Sequence, residues 1–152
     1  MTVSTIFTSA PVSLAELDAQ FSRADIEFHG LDHSGASYEA RLFLNNPDAG
    51  EETPETSENG YAGSFHIFGH GGCFGDEGHC HITPRRTYDP RPPHHLTAAK
   101  KTVIATDAIR RLRDAGITEA TITVVPVISA TTNRCSTEDV LQFDRVAVVT
   151  YR

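Results

Sequence analysis

Apolar and polar residues alternate along much of the chain, the signature of β-strands with one face buried. Tyr38, Ala40, Leu42 and Leu44 alternate with Glu39 and Arg41, and Ile26, Phe28 and Leu31 precede them across the turn Asp32-His-Ser-Gly35. This pattern predicts a hairpin over 26–44. Ser64 to His70 and His79 to Thr83 alternate in the same way around a glycine-rich turn, predicting a second hairpin over 64–83. Lys101–Ala105 reads as a strand, followed by a helix capped at Thr106 or Asp107, carried by Ile109 and Leu112 and stopped at Gly116. The β-branched run Ala120–Ile128 and the segment Phe143–Tyr151 predict two closing strands. Near the N-terminus, Ser13-Leu-Ala-Glu16 has the form of a capping box. With Leu14, Leu17 and Phe21 near helical spacing it predicts a short helix over about 14–22, an edge strand being the competitor. The expected fold is mainly β: an antiparallel β-sandwich or barrel with one or two short helices, in a single domain over 1–152.

Two segments break the alternation. Residues 46–60 combine proline, glycine and acids with Ala49 as the apolar residue, which predicts a mobile acidic loop. Residues 84–95, Pro-Arg-Arg-Thr-Tyr-Asp-Pro-Arg-Pro-Pro-His-His, predict a stiff crossing over the surface, because proline cannot donate to a helix or a central strand.

Charge narrows the partners. Thirteen basic against twenty acidic residues give a net charge of -7, which argues against non-specific binding to nucleic acid or an anionic membrane. There is no apolar run of about eighteen residues, and the start Met-Thr-Val-Ser-Thr-Ile-Phe lacks the features of a signal peptide. A cytoplasmic location is therefore expected, with export alongside a partner left open. Three cysteines exclude a complete set of disulfides.

The chemistry is concentrated in the second hairpin. Residues 66–81 read H-x3-H-x2-C-x5-H-C-H, offering His66, His70, Cys73, His79, Cys80 and His81 as metal donors. His94 and His95 stand at the end of the proline-rich crossing, able to close onto the hairpin as further ligands or simply to precede the next strand. Imidazole and thiolate suit copper and zinc, whereas magnesium, calcium and manganese take oxygen. Zinc fingers and ribbons repeat a C-x2-4-C knuckle that this chain lacks, so copper is the expected metal and zinc the alternative. Metal-free readings remain: Cys80 as a small buried hydrophobe, or a disulfide between Cys73 and Cys80. His29 and His33 read as solvated residues of a strand face and a turn, and Cys135 as an incidental loop cysteine.

Several strings also resemble a known family. Tyr38-Glu-Ala-Arg-Leu-Phe-Leu-Asn-Asn-Pro47, Tyr61-Ala-Gly-Ser-Phe65, Thr102-Val-Ile-Ala-Thr-Asp-Ala-Ile-Arg-Arg-Leu112, Ala120-Thr-Ile-Thr-Val-Val-Pro126 and Phe143-Asp-Arg-Val-Ala-Val-Val149 together resemble the C-terminal domain of plant-type polyphenol oxidases and tyrosinases, from about Ile26 onward. The resemblance implies a β-sandwich of the kind that shields a dicopper site. It also implies kinship with fungal relatives that carry cysteine-containing copper-loading motifs. The helical catalytic domain with its six histidines is absent, and no histidine here lies on a predicted helix, so the chain is not expected to be a tyrosinase by itself.

Three functions follow from these readings. The first is a copper-binding accessory protein that loads or shields a separately encoded type 3 copper oxidase. The second is a small mononuclear copper enzyme, an oxidase or oxygenase acting on a small-molecule substrate, with Asp76 or Glu77 weighed as a base against a merely solvated role. The third is an interaction module stabilised by zinc.

Overall fold

A computed structural model describes residues 5–33, 35–69, 87–88, 90, 98–128 and 139–152. Within them the strands are β1 (Phe7–Thr8), β2 (Val12–Ser13), β3 (Arg23–Leu31), β4 (Tyr38–Leu44), β5 (Tyr61–Ile67), β6 (Ala99–Ile104), β7 (Glu119–Ala120), β8 (Ile122–Val127) and β9 (Arg145–Tyr151). One α-helix, α1 (Thr106–Asp114), follows β6, and a short 3-10 turn, Ser57–Asn59, precedes β5.

The strands form two larger antiparallel sheets. One has the order β1-β8-β4-β5, the other β6-β3-β9, and a two-stranded ribbon joins β2 to β7. Alternation decides the inner faces. Ala24, Ile26 and Phe28 of β3 and Ala40, Leu42 and Phe65 of β4 and β5 share one buried cluster, so the two sheets lie face to face. Aromatic rings bridge the layers: Phe28 stands 4.9 Å from Phe65 and 5.2 Å from Phe143, which in turn meets Phe7 at 4.9 Å. Edge-on and tilted ring contacts of this kind add to plain area burial. Pro126 sits in β8 opposite Ala40, beyond the reach of β1, which pairs only with Thr123 and Val124. Its missing N–H is therefore tolerated on an unpaired flank.

The mainly β, antiparallel class expected from the sequence is what the structure has, in its sandwich form, with no closed barrel among the described residues. Helix α1 also stands where expected, its Ala108 and Ile109 buried, and it packs against β3 and β5. Its stop is a Schellman motif: the Gly116 N–H bonds to the Arg113 carbonyl at 2.9 Å and the Ile117 N–H to the Leu112 carbonyl at 3.0 Å. The Thr106 hydroxyl does not cap the helix. It accepts a bond from the Ala24 N–H at 3.1 Å and so ties the helix start to β3.

Three local expectations are corrected. Segments 26–31 and 38–44 are not the two arms of a hairpin: β3 pairs with β6 and β9, β4 with β5 and β8, and the turn between them crosses from one sheet to the other. Residues 14–22 are turns and not a helix. The Leu14 N–H is taken by the Thr118 carbonyl at 2.7 Å, extending the β2–β7 pairing, and the carbonyls of Asp18 and Phe21 accept from Arg113 and Arg110 on α1. Loop 46–60 is tied down. The Asn46 amide donates to the Asn59 carbonyl at 2.9 Å, Arg41 reaches the Glu51 carbonyl at 3.2 Å, and Ala49 is buried against Phe43 and Val125.

Candidate metal centre

β5 carries the chain toward the donor-rich segment, and its alternation fixes what faces outward. Phe65 and Ile67 are 5 % and 4 % exposed in the core, while Phe68 is 88 % exposed. His66, between the two buried residues, is exposed on the outer face of the four-stranded sheet. Glu39 of β4 lies opposite His66, and Val127 of β8 lies opposite Glu39, so the three form one row across the sheet.

The strand is held firmly where it ends. The last paired residues are Tyr38 and Ile67, but the Gly69 N–H still donates to the Ser37 hydroxyl at 3.0 Å. A Cβ at Gly69 would stand 2.0 Å from the Gly35 carbonyl oxygen, so glycine is required for the two backbones to pass so closely. The chain therefore leaves the sheet from a fixed point one residue before His70.

Electrostatics around His66 are lopsided. Arg41 donates to Glu39 at 3.3 and 3.4 Å and meets Glu55 at 3.2 Å, so one guanidinium serves two carboxylates. Hydrogen bonding to Glu39 raises the Arg41 pKa further, and the group remains cationic throughout. Tyr38, on the core side of the same strand, has its phenol pushed up to about 12 by burial and by the nearby charges of Asp32 and Asp139. Among the described residues its hydroxyl is buried without a hydrogen-bond partner.

A groove of about 370 Å³ opens beside this row, walled by Phe68 and Val127 and flanked by Ser37, Glu39 and His66. That volume lies within the range of small-molecule sites.

Of the donors expected from the sequence, His66 is the one the structure describes. His70, Cys73, His79, Cys80, His81, His94 and His95 lie outside the described residues, as do Cys135 and the second arm of the expected metal hairpin. Among the described residues no group of three or more His, Cys, Asp or Glu side chains is placed to hold an ion. His66 fits the role of one imidazole donor on an accessible face, and beside it Glu39 pairs with Arg41. A copper or zinc ion needs further donors, and the sequence offers them at 70–81.

His29 is more than a solvated residue. It bonds to Glu27 at 3.1 Å on the outer face of the other sheet, where Glu27 also receives Lys100 at 3.2 Å and the Tyr151 hydroxyl at 3.4 Å. Beside it Asp25, 2 % exposed, takes a two-pronged bond from Arg23 at 2.7 and 2.8 Å. The alternating charges Arg23, Asp25, Glu27 and His29 were the signal for this cluster. Each of its acids is supplied with donors.

No family model and no curated protein matches the chain. The comparison with solved structures shows the fold, which is similar to that of part of a polyphenol oxidase. One match is a recombinantly expressed latent aurone synthase, a polyphenol oxidase, with a TM-score of 0.56 and 16 % identity over 99 % of this chain and 25 % of that one. Another is latent aurone synthase from its natural source, with a TM-score of 0.55 and 17 % identity over the same shares. The chain thus spans about a quarter of the length of the solved structures it matches, and at such identity the likeness establishes the fold.

Proposed function

We propose that this chain is a copper-binding accessory protein. It has a fold related to the C-terminal, shielding domain of polyphenol oxidases and serves to load or shield copper for a separately encoded type 3 copper oxidase. The observation that carries the reading is the outward exposure of His66 on a strand whose neighbours Phe65 and Ile67 are locked in the core. The sandwich holds its own core while the strand leads straight into a segment containing His70, Cys73, His79, Cys80 and His81. Thiolates and imidazoles of this kind hold Cu(I) in low coordination and release it by ligand exchange. Likeness to a polyphenol oxidase supports copper over zinc.

The test is transfer. Protein loaded with Cu(I) and mixed with a copper-free polyphenol oxidase is expected to restore oxidase activity in proportion to the copper carried, while turning over no phenol alone. Restoration no faster than with an equal amount of free copper would overturn the accessory role.

The groove beside His66 favours a second reading, a small copper enzyme with its substrate held next to the metal. That reading requires oxygen uptake by the copper-loaded protein alone, lost in His70→Ala.

A further inference from the structure

We propose that the groove between Phe68 and Val127 binds a small aromatic amine, its ring against those two side chains and its ammonium toward Glu39. This goes beyond the copper reading and does not require the metal.

Three features point to this ligand class. The first is the cavity, which at about 370 Å³ holds a single substituted ring with room to spare. The second is the pair of walls. Phe68 is 88 % exposed, the most solvent-accessible phenylalanine among the described residues, and Val127 faces the same side of the sheet through its pairing with Glu39. An exposed phenyl face gains both area burial and ring stacking from an aromatic guest, and it also attracts cations. The third is the charge. Among the described residues Glu39 and Glu55 share the guanidinium of Arg41, which leaves a net negative charge at the polar end of the groove and makes a cation the complementary partner.

The polar end is also pre-set. Arg41 holds the Glu39 carboxylate from one side, leaving acceptor capacity toward the groove, since a carboxylate has about four lone-pair sites. The Ser37 hydroxyl oxygen accepts the Gly69 N–H and so helps to fix the rim.

The experiment is a titration of metal-free protein, kept so with a chelator, followed by amide NMR. The probes are 2-phenylethylamine and its neutral counterpart 2-phenylethanol. The amine is expected to saturate, with shifts confined to residues 37–39, 66–68 and 127, and to bind several-fold more tightly than the alcohol. Phe68→Ala, at a site too exposed to matter for folding, is expected to weaken the amine about tenfold, in line with the loss of one stacked ring and its cation attraction. Glu39→Gln is expected to remove the preference for the amine while leaving the alcohol unchanged. Shifts that do not saturate, shifts elsewhere on the protein, or equal affinities for the two probes would overturn the proposal. Because copper is absent throughout, these results stand apart from those of the transfer assay.

Discussion

The two sheets bury matching inner faces and differ on their outer ones. On the three-stranded sheet the polar face closes upon itself: Arg23 satisfies Asp25, and Lys100, His29 and Tyr151 surround Glu27. On the four-stranded sheet the outer face is covered at one end by loop 46–60, through Ala49 on Phe43 and Val125, and among the described residues is left open at the other around His66, Glu39 and Phe68. A face whose acids are already supplied has little to offer a cationic ligand, because binding would have to replace bonds already made. The unbalanced face keeps an imidazole, a shared carboxylate and an apolar wall available.

The largest effect is expected where the two sheets depend on one another. Phe28 is fully buried and touches Phe65 across the layers. Phe28→Ala should cost about 3–5 kcal/mol in urea unfolding and loosen both sheets together. If unfolding instead became two separated transitions, the sheets would be independent and the comparison would have to be redrawn.

A more selective change strikes one outer face. Phe43 is the floor under loop 46–60. Phe43→Ala should cost about 3 kcal/mol and loosen the loop, so that a glutamate-specific protease cuts at its exposed glutamates faster, with the contacts of Glu27 unchanged. Cleavage no faster than in the parent protein would mean that the hydrogen bonds of Asn46 and Arg41 alone hold the loop.

The third effect is smaller and depends on pH. Hydrogen bonding from Lys100, helped by His29 and opposed by burial, holds the Glu27 carboxyl below its ordinary value. Its folded value is therefore lower than its unfolded one. The stabilisation is fully present above the ordinary carboxylate range and is lost as pH falls through the folded value. Tm of the parent protein should decline as the pH drops below the ordinary glutamate value, and Glu27→Gln should flatten part of that decline. Identical slopes for the two proteins would show that Lys100 and His29 contribute nothing to the fold.

Strand positions were legible in the sequence wherever burial was one-sided. β5 and α1 carry the right period and the Gly116 stop was plain, whereas β8, buried on both faces, was read from its β-branched run. Partnership was less legible. Segments 26–31 and 38–44 both alternate, but alternation reports only which side is buried, and two strands facing each other across a core read the same as two strands side by side. The capping box at Ser13 was overridden because a tertiary partner, the Thr118 carbonyl, claimed the Leu14 N–H. Loop 46–60 read as mobile because a single alanine carries its burial, and a methyl group gives a weak signal. For the site, the outward aim of His66 followed from the period of two. The Phe68 groove did not, since it needs Val127, which lies about sixty residues further along the chain.

The most direct measurement is copper content and affinity of untagged protein, taken by competition with a Cu(I) chelator, for the parent and for a variant with Cys73→Ser and Cys80→Ser. The account predicts stoichiometric copper in the parent, its loss in the variant, and an unchanged thermal unfolding of the metal-free sandwich in both. Zinc in place of copper with unfolding on its removal, or copper retained undiminished by the variant, would contradict it.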